Sequence, residues 1–127
     1  LGHPEEDGHG CLLYDATLKV LLILNGEKIP KNKKIEAQVR LVDLFPTVLD
    51  MFNLKSEKNI DGISLLSLAY GKKNKELPAY SETFYPEELA NKDKTFKDVS
   101  SKKSLRISNK YKVITSVKDS KLEVYYL

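Results

Sequence analysis

The sequence predicts an α/β fold: a strand buried on both faces, flanking helices, and a small antiparallel sheet at the C-terminal end. Three observations carry this. Lys19 to Leu24 is a nearly continuous apolar run that stops at Asn25-Gly26, which fits a strand covered on both sides. Residues 36–53 place apolar side chains at Val39, Val42, Phe45, Val48, Leu49 and Phe52, the three-and-four spacing of a helical stripe. The final segments are short, β-prone runs separated by turn residues, as in hairpins.

Taken in order, residues 1–10 set Gly2, Pro4, Gly8 and Gly10 among acids and histidines, the chemistry of a loop. Leu12 to Tyr14 opens either a helical turn or a short strand. The apolar run from Lys19 is the expected strand, and 25–35 is a polar, lysine-rich loop. Pro46 is tolerated only in a first helical turn, so the regular helix is expected from about residue 43 to about residue 53. Asp43 then suits its N-cap or first turn. Asp61-Gly62 marks a turn, and Ser64 caps a short helix, Leu65 to Tyr70, that Gly71 ends. Pro78 to Thr83 alternates like a strand. Residues 86–103 read as a polar loop with a helical turn around Glu87–Ala90. The end reads as two strands: Ser104–Ile107 and Tyr111–Ser116 form one, broken by a turn at Asn109-Lys110, and Leu122–Leu127 forms the next. A lone buried strand cannot satisfy its own backbone groups, so the pattern asks for neighbours that this chain does not supply.

Composition narrows the function. The chain has 127 residues, enough for one modest core, and is 41% apolar and 31% charged, as in globular proteins. Net charge is +3, lysines are spread along the chain, and arginine occurs only at Arg40 and Arg106. That is a solvated surface and not the clustered basic face of a nucleic-acid binder. No apolar run approaches about 18 residues, so no membrane helix is expected, and no signal peptide is visible. Cys11 is the single cysteine. It excludes an internal disulfide and a thiolate metal site, and beside Leu12 and Leu13 it reads as a small buried residue. A thiolate activated by His9 is the alternative, though residues i and i+2 point opposite ways on a strand. His3, Glu5, Glu6, Asp7 and His9 form an acid-histidine cluster, but short flexible clusters bind metals weakly because nothing preorganises them.

The segments HG–LYDATLKV–LLIL, VRLVDLFPTVLDMF, DGISLLSL, AYSET, SLRISNKYKVI and LEVYYL follow one another in this order. Together they resemble the C-terminal part of the sulfatase family, in the alkaline phosphatase superfamily, over essentially the whole chain. VDLFPT followed by DGxSLL is the most specific pair. The resemblance implies the C-terminal part of a sulfatase/alkaline-phosphatase-like α/β sheet with flanking helices and a small antiparallel C-terminal sheet. Residues 1–71 would end the catalytic domain and residues 72–127 would form the antiparallel subdomain. Tyr126 stands where the family usually has Asp, and Leu21 where it usually has Pro. Both departures touch packing more than chemistry.

The resemblance further implies an intact parent that hydrolyses small-molecule or glycan sulfate or phosphate esters with a metal-bound nucleophile lying outside this chain. A divalent metal, calcium by the same resemblance, would polarise the ester oxygens. The nucleophile motif Cys/Ser-x-Pro-x-Arg is absent, and the Asp-His or Asp-Asn pair that helps hold the metal would precede Leu1. The chain itself is therefore expected to carry no catalytic residue and no metal ligand, and to pack on the missing N-terminal part. His9 matches the family position that contacts the anionic ester, where an imidazole can donate a hydrogen bond or ligate a metal. Lys19 follows the Tyr-Asp block where the family often has Arg, at the pocket mouth; a solvated lysine is the alternative. Tyr14 and Asp15 would orient the loop or cap structure, Asp43 and Asp61 would cap or turn the chain, and Tyr80 and Glu82 would lie in the subdomain nearest the site. The rival readings are a truncated or decayed non-catalytic remnant, and part of a sister phosphodiesterase or phosphoethanolamine transferase. Alone, the chain would leave a sheet edge and a helix face uncovered.

Overall fold

A computed structural model describes residues 10–72, 77–92 and 100–127. Its elements run α1 (Asp15–Leu18), a 3-10 turn (Leu41–Asp43), α2 (Leu44–Met51), α3 (Leu66–Ala69), β1 (Ala79–Thr83), α4 (Tyr85–Lys92), β2 (Lys102–Ile107), β3 (Tyr111–Ser116) and β4 (Leu122–Tyr126). They fall into two compact units. One joins the chain up to Leu21 with Tyr80–Leu127, and the other is Leu22–Ala79. Helices with a four-stranded sheet are the small α/β arrangement the sequence predicts. Among the described residues, no helix is long and apolar enough to cross a membrane.

The sheet has the order β1-β2-β3-β4, with β2/β3 and β3/β4 antiparallel. Ser108, in the first of the two tight turns, has a positive φ, as does Ser120 after the second. Pairing sets Leu105 against Val113 and Val113 against Val124, and Ile107 against Tyr111 and Tyr111 against Tyr126. These residues share one face, because side chains alternate along a strand. That face is open: Leu105, Ile107, Tyr111, Val124 and Tyr126 are all exposed. The opposite face is buried and carries Ser104, Lys112, Ile114 and Ser116. The sheet thus turns its polar face inward and its apolar face outward.

The second unit shows the same inversion. Pro46 is the third residue of α2, where its missing N–H costs nothing. Beyond the helix, Asn53 takes a left-handed φ of 56°, and the Leu54 N–H reaches back to the Leu49 carbonyl, a Schellman-type stop. The stripe of α2 does not face a core. Phe45 is 60% exposed and Val48 and Phe52 are also open, whereas Thr47 is buried. Among the described residues of this unit, the buried apolar ones are Ile29, Leu65 and Ala69.

The strand expected over Lys19–Leu24 does not form. Val20, Leu21 and Ile23 are 63%, 85% and 74% exposed. An apolar run becomes a buried strand only if other strands take up its backbone hydrogen bonds, and no described segment does so. The boundary between the two units falls inside the run.

Candidate functional site

The residues that follow the histidine-rich start are held by the C-terminal sheet. Gly10 has a φ of +111°, which glycine alone adopts without strain, and a Cβ there would also crowd the Tyr85 ring at 3.1 Å. The Thr83 hydroxyl donates to the Gly10 carbonyl. Leu13 is buried. Thr17 turns its hydroxyl back to the carbonyls of Leu12 and Tyr14, closing the short helix α1 on itself.

Two carboxylates fasten this turn. The Tyr14 hydroxyl donates to Glu123 Oε2 at 3.0 Å, and the Tyr125 hydroxyl donates to the same oxygen. The two rings meet edge to face at 5.8 Å, a favourable arrangement. Hydrogen bonding, first from Tyr125, holds the Glu123 carboxyl below its usual range against the opposing effect of burial; Tyr14, Lys102 and Lys121 add to the lowering. The same contacts push the Tyr125 phenol well above its ordinary value. Asp15 accepts from Arg106 Nη1 at 2.6 Å and from Lys112 Nζ at 2.9 Å. The Lys112 side chain is only 3% exposed, so its ammonium depends on that partner. Arg106 also donates to the Ser108 carbonyl and to Asn109 Oδ1. Tyr14 and Asp15 therefore orient the segment, as the sequence suggests, and do so as anchors to the sheet.

Lys19 follows α1 directly. Its backbone N–H donates to the Asp15 carbonyl at 2.9 Å and the residue is exposed. His9, His3, Glu5, Glu6 and Asp7 lie outside the described residues, so Lys19 is the substrate-contact candidate that the structure describes. Cys11 is half-buried beside the Gly10 turn. Tyr80 and Glu82 bond to each other on the exposed side of β1, and Asp61 is exposed in its turn. Among the described residues, no group of three or more His, Cys, Asp or Glu side chains could hold a metal.

In the other unit, VDLFPT and DGIS prove to be two halves of one joint. The Asp43 carboxylate is buried and accepts from Arg40 Nη2 at 2.7 Å, from Arg40 Nε and backbone N, and from the Ile63 N–H at 3.0 Å. Burial alone would raise its pKa, but these bonds, Arg40 side chain foremost, bring it below the ordinary value. Asp43 stands at the N-cap position of α2 without capping it by its side chain, since its oxygens face Arg40 and Ile63 instead. Thr47 donates to the Asp43 carbonyl and accepts from the Leu65 N–H at 2.9 Å. Gly62 completes the joint: a Cβ there would stand 2.0 Å from the Val42 carbonyl oxygen. Sequence reasoning missed Thr47, Arg106 and Lys112. A threonine one turn after a buried acid is the signal that could have found the first; the other two have no local signature.

Comparison with known proteins finds similarity to arylsulfatase K of several animals. The chain is 36% identical to chicken (Gallus gallus) arylsulfatase K over 66 residues, which cover 52% of the chain and 12% of that protein. It is 38% identical to the mouse (Mus musculus) arylsulfatase K over 56 residues, 44% of the chain and 10% of the relative. Against human (Homo sapiens) arylsulfatase K the identity is 35% over 57 residues, 45% of the chain and 11% of the relative. The matched stretch thus spans about one-tenth of the length of these relatives. No protein-family model matches the chain.

Proposed function

From the relationship of this chain to the sulfatases, which holds over about half of its length, we propose that it is the C-terminal portion of a sulfatase-type hydrolase. The intact parent hydrolyses sulfate esters, of small molecules or glycans, with a nucleophile outside this chain. A divalent metal, calcium on the resemblance, polarises the ester oxygens when bound, and its ligands lie beyond the described residues. His9 and Lys19 contact the anionic ester, Lys19 by a charge-assisted bond to its non-bridging oxygens. Residues 1–71 end the catalytic domain and residues 72–127 form its antiparallel subdomain.

The observation that carries this reading, beside the kinship itself, is the double inversion. Phe45, Val48 and Phe52 on α2, Val20 to Ile23, and the outer face of β2–β4 are exposed apolar surface, the kind of surface that marks a packing face. Packing on the N-terminal part of a parent accounts for all three. Phe45→Ser and Val124→Ser should then change the stability of this chain alone by no more than about 0.5 kcal/mol. In the full-length protein each should cost about 2 kcal/mol. Urea unfolding of both forms compares them; equal small effects in the two would mean that the faces stay open.

The activity itself is tested on the full-length protein that carries this chain, with aryl sulfate, aryl phosphate and phosphodiester substrates side by side. Sulfate turnover is expected, and Lys19→Met should raise KM about tenfold. Preference for the diester would point to a sister hydrolase, and no turnover at all to a non-catalytic remnant.

A further inference from the structure

We propose that Asp15 is a positioning residue, through which Arg106 and Lys112 of the C-terminal sheet fix α1 and the Lys19 that follows it. This rests on the hydrolase reading for what Lys19 then contacts. The register of the sheet supplies the reason. Arg106 of β2 lies directly opposite Lys112 of β3, and both point to the inner face. Like charges directly opposite each other destabilise a strand pair, the more so when one is buried. The other carboxylate on that face, Glu123, is engaged by the hydroxyls of Tyr14 and Tyr125. The pair of cations therefore makes a receptor for one further carboxylate, and Asp15 fills it with one oxygen to each cation.

Asp15 is also the first residue of α1, and its carbonyl holds the Lys19 amide. One residue thus grips the sheet with its side chain and the start of the Lys19 segment with its backbone. A helix of four residues has no stability of its own. The place of Lys19 is set by what fastens the turn: Asp15 on the two cations, Tyr14 on Glu123, and Thr17 on the Leu12 carbonyl.

The test uses the full-length protein in three forms: wild type, Asp15→Asn, and Asp15→Asn combined with Lys112→Met. Melting temperature, amide exchange of the 12–19 peptide, and KM and kcat for 4-nitrophenyl sulfate are read on each. Asp15→Asn should lower the melting temperature, speed exchange in 12–19 by about a hundredfold, and raise KM about tenfold with kcat nearly unchanged. Adding Lys112→Met removes the unpaired buried ammonium, so the melting temperature should recover. The tether is still cut, so KM and the fast exchange should not. Recovery of KM together with melting temperature would show that Asp15 serves folding alone and would overturn the inference, as would unchanged exchange in Asp15→Asn. If wild-type protein turns over no aryl sulfate, it is the hydrolase reading that has failed, and the exchange data still decide whether the sheet holds α1.

Discussion

Gly62→Ala is expected to break the joint between α2 and the turn before α3, at a cost of about 3 kcal/mol or more. The new methyl carbon would sit 2.0 Å from the Val42 oxygen, 2.6 Å from its carbonyl carbon and 3.0 Å from Asp43 Cα. All three are backbone atoms, so no side chain can rotate away. Relief requires the two segments to separate, which strips the Ile63 N–H from Asp43 and the Leu65 N–H from Thr47. Each buried group left without a partner adds about 1–3 kcal/mol. Urea unfolding should show the midpoint falling with little change in slope. Gly26→Ala is the control: its Cβ would meet only side-chain atoms of Ile29 and Met51 at 3.6 Å, ordinary contact, and should cost less than about 1 kcal/mol. Equal effects at the two positions would show that the close approach at Gly62 is not what holds the joint.

Asp43→Ala should cost about 3–5 kcal/mol, because it leaves a partly buried guanidinium without its counter-ion and two backbone N–H groups without an acceptor. Asp43→Asn, which keeps an acceptor and loses the charge, should cost less. The wild-type contribution depends on pH. The folded Asp43 carboxyl ionises below its ordinary value, so its share of stability is complete above the unfolded carboxylate range, about pH 3.9, and disappears as pH falls through the lower folded value. The gap between wild type and Asp43→Asn should therefore be wide at pH 7 and close below about pH 4. A gap that stays constant down to pH 2 would mean that charge is not what Asp43 contributes. Glu123, also held below its usual range, adds a fall of the same sign in the other unit.

The parts of this fold that the sequence made legible are those whose cause is local. The β-prone run bounded by turn residues marked Tyr111–Ser116, which the structure makes a strand of its own, β3, and Pro46 with Asp43 located the start of α2 to within a residue. Gly71, with a φ of +84°, ends the α3 segment as a C-terminal glycine should. What failed is what depends on distant partners. Val20–Ile23 reads as a buried strand because apolar pattern reports what a segment would prefer to cover, not whether the chain holds the cover. The α2 stripe did locate a helix, and its apolar face stays uncovered for the same lack of a partner. Asp43 was recognisable as an acid at a helix start, yet its partner amide at Ile63 lies 20 residues away and nothing local points to it. The anchors of the candidate site are more remote still, since a lysine at position 112 looks like any other surface lysine until Asp15 is placed beside it.

The distance between those anchors has a consequence in time. β2, β3 and β4 are consecutive and joined by tight turns, so they can zip together within roughly microseconds of each other. Asp15 and Lys112 are 97 residues apart, and closing so long a loop is slower and entropically more expensive. The meander is therefore expected to form before the N-terminal turn docks on it, with Arg106 and Lys112 side by side on its inner face. The N-terminal turn is then expected to dock later, onto a site that is already charged for it. A refolding experiment that watches Tyr14 and the strands separately should see two phases, and Asp15→Asn should slow only the second.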